Sequence, residues 1–537
     1  MALELALNDV SFRIFEKLIT PSDKSRALVL QSRSLELLRR HGITDALLQR
    51  GTAGTGARMY VNKKKTFEFT FDSLGFENTA FPTPLWISQA DTEAVMSSHL
   101  ESTYGVKIER GAVAEEIAQD ESGVGVTIIK DGNSERLRCR YVVGCDGAHS
   151  TVRHAAGLSF DGAPYPQDFA LCDAHLRWDE SGDIDARPIS AFLGPSGILA
   201  LFPMEEGVVR LVASRPPKLL RDRGPESDPT LEDFEEIFRM MAPGEFKLYD
   251  PIWLASFRLH HRGANNYRNG RLFVAGDAAH IHSPAGGQGM NTGIQDAINL
   301  GWKLVHSISK ERRGQEARKE WLDTYNEERH RVGMKLLEGT DRLFGYGSST
   351  NFFWRIFRNL FATWILPWLL SNPKNRQSAF RFITELGIRY RLSSITRSSM
   401  GTQLVKGGDR APDGKVTTPD GEEKWLLETC KGDRHHLILF SGVGAQCMEP
   451  EEMESISVRL ADVFAGKDFG EVDIHRIYAL DAGDELGLLD VKDKVHAAYG
   501  FDKPGYVFIR PDTYVACIDF GSHLDDLVDW LNVYCEK

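Results

Sequence analysis

The stretch from Arg271 to Leu304, RLFVAGDAAHIHSPAGGQGMNTGIQDAINLGWKL, limits what this chain can fold into more than any other. Leu272, Phe273, Val274 and Ala275 form an apolar run suited to a buried strand. The run breaks at Gly276–Asp277 and passes into a loop holding Pro284, Gly286, Gly287 and Gly289. From Asn291 apolar residues return at helical spacing: Ile294, Ala297, Ile298, Trp302 and Leu304. A carboxylate at a strand end can accept hydrogen bonds from sugar-like hydroxyls. Glycines let backbone N–H groups approach a ligand closely. A helix start near Met290–Asn291 adds unpaired N–H donors and a partial positive charge, which favour an anion. A lone Gly-Asp reads as a tight turn; the whole string is far more specific.

Composition narrows the class. The chain has 537 residues, enough for two or three domains, with ordinary apolar (42%) and charged (26%) fractions. A net charge of −12 argues against nucleic-acid partners and an anionic membrane surface. Seven scattered cysteines without a CxxC pair suit a reducing, cytoplasmic setting and argue against a disulfide framework and zinc. Asn8 and Asp9 follow Met1 to Leu7 at once, so no signal peptide is read. The stretch Asn351 to Ser371, NFFWRIFRNLFATWILPWLLS, is broken by Arg355, Arg358 and Pro367. It reads as a buried or interfacial helix pair rather than a span; loose membrane association is the lesser reading, and no stable insertion is expected.

Other segments fall around the central stretch. Leu3 to Leu7 reads as the end of an apolar helix and Val10 to Phe15 as a strand ending on Glu16. An acid there can bond ribose hydroxyls, or be a solvated strand end. Val106 to Ile129 alternates as a hairpin turning near Asp120–Gly123. In YVVGCDGAHSTVRHAAGL, from Tyr141, a strand meets Asp146–Gly147 and Arg153 follows; Asp146 is placed to bond backbone N–H groups, and Arg153 to pair with it. Phe160 to Leu259 is strand-rich, with a helix over Leu231–Met241. Tyr165, His175 and Arg177 are polar there but read as structural or surface residues rather than catalytic ones. Glu316 to Thr340 reads as an amphipathic helix with Glu327, Glu328, Arg329 and Arg331 on a solvated face. Leu404 to Asp420 reads as a linker or domain boundary. His280 and His282 lack further matched ligands, so no metal site is expected.

The string GDAAHIHSPAGGQGMNTGIQDAINLGWKL closely resembles the second FAD-binding motif of single-component flavoprotein aromatic hydroxylases, the phenol hydroxylase-like branch in particular. The resemblance implies an α/β fold: an FAD-binding Rossmann-like domain over 1–158 and 266–345, with an inserted β-rich substrate domain over 159–265. A helical segment at 346–405 and a thioredoxin-like C-terminal domain at 406–537 would follow. It implies FAD as cofactor, NADPH or NADH as co-substrate, and O2 and a small aromatic as substrates; a homodimer is compatible with it. The chemistry implied is reduction of FAD, formation of a flavin C4a-hydroperoxide, and attack by a phenolic or other activated ring. Alternatives are Baeyer–Villiger-type or other oxygenation on the same fold, or a truncated, flavin-free, non-enzymatic relative.

Carried over residue by residue, the resemblance places Asp277 on the ribityl chain and Glu16 on the adenosine ribose. Pro284, Gly287, Gly289, Met290 and Asn291 would line the ring. Arg26 would lie near the flavin or diphosphate, and Arg33 with it; without the resemblance both read equally well as surface residues of a helix. Gln89 would contact the flavin side chain, and Asp146 would belong to a motif handling FAD and NADPH. No catalytic side chain is assigned. The family pattern also has a first strand and a GxGxxG turn ahead of the helix in which this chain begins; an incomplete gene model is expected rather than a natural short form, with FAD bound weakly or not at all.

Overall fold

A computed structural model describes residues 1–22, 27–179, 188–194, 197–204, 207–215, 227–282, 286–315, 318–348, 352–398, 404–430, 432–465, 471–479, 487–521 and 525–536. Helices and sheets both contribute, in a mixed α/β arrangement.

The first unit is built from α1 (Ala2–Leu7), β1 (Phe15–Glu16), β2 (Val29–Leu30), α2 (Ser32–Arg39), α3 (Gln89–Tyr104), β3 (Glu109–Arg110), β4 (Val142–Gly144), α4 (Thr151–Ala155), β5 (Leu272–Val274) and α5 (Gly289–Arg312). β1 runs parallel to β3, with Phe15 opposite Glu109, and β4 runs parallel to β5, with Val142 opposite Leu272. Parallel pairing needs long crossovers, and here long stretches of chain separate the paired strands, residues 17–108 in one case and 145–271 in the other. The strand expected from Val10 is confined to Phe15–Glu16. α1 lies against α5: a Cβ on Gly301 would fall 2.5 Å from Glu4 Cβ, so the approach requires glycine. Buried Glu4 accepts from His41 Nε2 at 2.7 Å. The expected hairpin forms as Ala112–Asp120 and Gly123–Lys130, and Asn133–Cys139 adds a third strand.

The strand-rich middle of the chain forms most of an eight-stranded sheet. Its long antiparallel strands Phe160–Trp178 and Phe246–Ala264 carry the pairing. Gly56–Val61 and Lys64–Thr70 join one edge and His280–Ile281 the other. Helix Leu231–Met241 forms at the expected bounds, closed by a Thr230/Asp233 capping box, and buries Phe234, Ile237 and Phe238 against the sheet.

The helix expected from 316 to 340 is two helices, Lys319–Tyr325 and Arg331–Ser348, joined by a π turn over Asn326–His330. Glu328 and Arg329 are buried, not solvated; periodicity shows charge but not the distant partners that make burial tolerable. The apolar stretch after it forms Phe352–Leu360, a π turn and Leu366–Ser371. Its large side chains are not buried: Phe353 is 79% exposed and Trp364 and Trp368 are each 71% exposed. Arg358 and Ala362 are buried, and Arg358 donates to the Gly194 carbonyl at 3.0 Å. No helix among the described residues is long and apolar enough to cross a membrane.

The C-terminal unit runs β6 (His435–Phe440), α6 (Pro450–Ala465), β7 (Val472–Ala479), α7 (Lys494–Tyr499), β8 (Gly505–Ile509), β9 (Val515–Phe520) and α8 (Asp525–Glu536). β6 and β7 are parallel, β8 is antiparallel to both β6 and β9, and the spatial order is β9-β8-β6-β7. This is the thioredoxin-like topology. The stretch Leu404–Asp420 is no open linker: Ala411, Arg410 and Asp413 are buried. Arg410 Nη1 bonds Glu36 at 2.8 Å. Arg510 bonds Glu328 at 2.6 Å, and Lys303 reaches the same carboxylate at 2.8 Å. Arg33, expected near a flavin, is fully buried and donates to Glu36, Thr513 and the Asp512 carbonyl. Its charge joins the two units.

Candidate active site

β4 and β5 end side by side, and their carboxyl ends deliver Asp146 and Asp277. Ligands of open parallel sheets bind at such ends. Leu272, Phe273 and Val274 are fully buried, so β5 is a rigid support. The turn after it is tight. Gly276 has φ +60°, and a Cβ on Gly293 would stand 3.2 Å from Gly276 Cα, so two glycines bring the turn onto α5. Asp277 lies in this turn and is exposed.

A buried ion network fixes the turn. Asp296 of α5 accepts Gly276 N–H at 3.0 Å, His280 Nε2 at 2.7 Å and Arg329 Nε at 2.7 Å. Burial alone would raise the Asp296 carboxyl, but Arg329 and His280 outweigh it and hold it below the ordinary range. Arg329 also donates to Tyr390 Oη and the Thr292 carbonyl. Sequence reading missed Asp296. Its one signal is an acid among the apolar residues Ile294, Ala297 and Ile298.

The glycine loop is held from the other side. Asn291 Nδ2 donates to the carbonyls of Gly287 (2.8 Å) and Val29 (2.9 Å), and its Oδ1 accepts Gln31 N–H at 2.8 Å. Gln31 Nε2 donates to the Gly286 carbonyl at 2.8 Å. Asn291 is therefore a brace whose side chain is spent on backbone; its offer to a ligand is its N–H. Gly287 has φ +63°, and a Cβ there would stand 3.3 Å from Val29 Cβ. Behind the loop α5 begins at Gly289, and Thr292 N–H is bonded to the Gln288 carbonyl. The N–H groups of Gly289, Met290 and Asn291 thus precede the helix's own bonding pattern and point outward.

The second acid behaves as expected. Asp146 Oδ2 accepts Thr151 N–H at 2.7 Å and Val152 N–H at 3.4 Å. Arg153 does not bond it. Its guanidinium donates to the carbonyls of Ala278 (3.0 Å) and Ala148 (2.9 Å) and lies 3.9 Å from the Phe160 ring centroid. Arg153 so ties the Asp146 loop to the Asp277 turn.

Glu16 is half-buried at the end of β1 and accepts Leu18 N–H at 3.0 Å. Gln89 opens α3; its N–H bonds the Ala27 carbonyl at 3.0 Å and its Nε2 bonds Glu93 at 2.8 Å. Arg26 and Pro284 lie outside the described residues. The parts that are described fit a flavin's ring and ribityl end: an exposed carboxylate at Asp277, the bare backbone of Gly286 and Gly287, and N–H donors at the start of a 24-residue helix.

Comparison with known proteins agrees. The FAD binding domain family matches residues 1–340. An uncharacterized aromatic compound monooxygenase, YhjG of Bacillus subtilis strain 168, is 31% identical over 86% of this chain and 87% of its own. Pentachlorophenol 4-monooxygenase of Sphingobium chlorophenolicum is 27% identical over 99% of this chain and 94% of its own. Among solved structures, OxyS anhydrotetracycline hydroxylase from Streptomyces rimosus superposes with a TM-score of 0.73 at 27% identity, covering 100% of this chain and 96% of that one. The chain belongs to the FAD binding domain family. Within it, this is an enzyme of the FAD-dependent monooxygenase class.

Proposed function

We propose that this enzyme hydroxylates a phenol or another electron-rich aromatic ring, using NAD(P)H and O2. The observation that carries the reading is the bond that ties the Asp277 turn to Asp296 of α5, the helix whose start lies behind Gly286 and Gly287. Relatives named for aromatic and phenolic substrates support the substrate class.

FAD, when bound, supplies acceptance of hydride from NAD(P)H and activation of O2 for transfer to the ring. The protein's own part is positioning and charge. Asp277 holds ribityl hydroxyls. The N–H groups of Gly289, Met290 and Asn291 stabilise negative charge on the reduced ring edge. Gly287 keeps the loop low enough for a flat heterocycle. Asp146 and Arg153 keep the neighbouring loop in register. Glu16 serves the adenosine ribose, and Arg26 the flavin or its diphosphate. Gln89 reaches the flavin side chain once its bond to Glu93 is exchanged.

The test is turnover of a phenol panel by the FAD-loaded protein under 18O2. An aromatic product carrying a single 18O, with NAD(P)H oxidation accelerated by that phenol, supports the reading. Label in an ester or lactone next to a former ketone, or no label with any phenol, refutes it.

A further inference from the structure

We propose that Cys430, His436 and His475 form a binding site for a divalent transition-metal ion of the zinc type in the thioredoxin-like domain, with Asp473 as fourth donor. The site lies in the C-terminal unit and is independent of the flavin reading.

The backbone brings these residues together. β6 and β7 are parallel, with His436 opposite Asp473 and Ile438 opposite His475. Strand alternation then puts His436, Asp473 and His475 on one face of the sheet. That face packs Ile438, Phe440 and Ile477, and Cys430 belongs to the same cluster, just after helix Leu426–Thr429. His436 Nδ1 is 3.1 Å from His475 Nε2. Cys430 Sγ and the two ring nitrogens all lie within 4.8 Å of one another. Asp473 Oδ2 is 3.8 Å from His436 Nδ1, while its other oxygen accepts from Arg434 at 3.2 Å.

Tetrahedral zinc with bonds of about 2.0–2.3 Å sets its donors roughly 3.3–3.8 Å apart, so small side-chain rotations close the site. One thiol and two imidazoles favour zinc over magnesium or calcium. A hydrogen bond between two neutral rings accounts for the 3.1 Å contact, but not for a thiol and a carboxylate gathered around it. Cys430 and His436 are buried, whereas His475 is partly exposed and the Asp473 side chain is 36% exposed, which gives an ion a way in. A bound ion would clamp the end of helix Leu426–Thr429 to both strands.

The experiment uses the full chain with FAD, stripped by a chelator, dialysed against zinc and passed through gel filtration. A single retained zinc per chain is expected, with a rise in thermal midpoint. Cobalt in place of zinc should give a thiolate-to-metal band in the difference spectrum. Cys430→Ser should abolish that band, and His475→Gln should weaken retention more than about tenfold. His475→Gln, at a partly exposed position, carries the test if the buried Cys430 variant does not fold. No zinc retained by the folded wild type, or equal retention by a folded variant, overturns the proposal.

Discussion

Asp296, inside α5, accepts the backbone N–H of Gly276 at 3.0 Å. The helix whose start is offered to an anion therefore also sets the turn that carries Asp277. Arg329 makes this tolerable by pairing with Asp296 where both are fully buried. Arg329→Met should lower stability by about 3–5 kcal/mol, because it strands a buried carboxylate. Urea unfolding measures this. Asp296→Asn combined with Arg329→Met should lose less than the sum of the two single variants; strict additivity would mean that the pair is not coupled.

Glu385 gives a pH dependence. Burial pushes its carboxyl up to about 8, against the lowering effect of the Thr292 and Gln295 bonds. The folded value lies above the ordinary 4.5, so its contribution to stability is fully present below about 4.5. It is lost as pH rises toward the folded value near 8. Glu385→Gln removes this slope. The variant should gain on the wild type steadily between pH 5 and pH 8, read from urea midpoints; parallel curves would show that Glu385 titrates normally.

Gly287→Ala should weaken FAD binding. Its φ of +63° makes a side chain cost about 1–2 kcal/mol. The added Cβ also meets Val29 at 3.3 Å, and the loop can relieve both only by shifting into the ligand's space. Flavin fluorescence titration reads the change, with unchanged affinity as the contrary result.

The parts legible in the sequence were those whose cause is contiguous. The run Leu272–Val274, the turn at Gly276–Asp277 and the helix behind it follow one another, and Asp146 bonds its own loop as its position after a strand suggested. The illegible parts depend on partners far away. Glu328 and Arg329 have the look of a solvated pair because Arg510 and Asp296, their partners, lie 182 and 33 positions off. Arg33 reads equally well as a phosphate ligand or a surface residue until Thr513 is seen beside it. Cys430, His436 and His475 lack the paired short spacing that marks a metal site in sequence; the β6–β7 register creates the cluster.

The most direct test of the account is the FAD dissociation constant of the full chain before and after Asp277→Ala, read by flavin fluorescence with folding followed by circular dichroism. Asp277 is exposed, so the variant should fold as the wild type does. Loss of a carboxylate's hydrogen bonds to ribityl hydroxyls should weaken binding by roughly 1.5–3 kcal/mol, about tenfold to a hundredfold. Equal affinity in the two proteins would place the flavin somewhere other than the end of β5 and the start of α5.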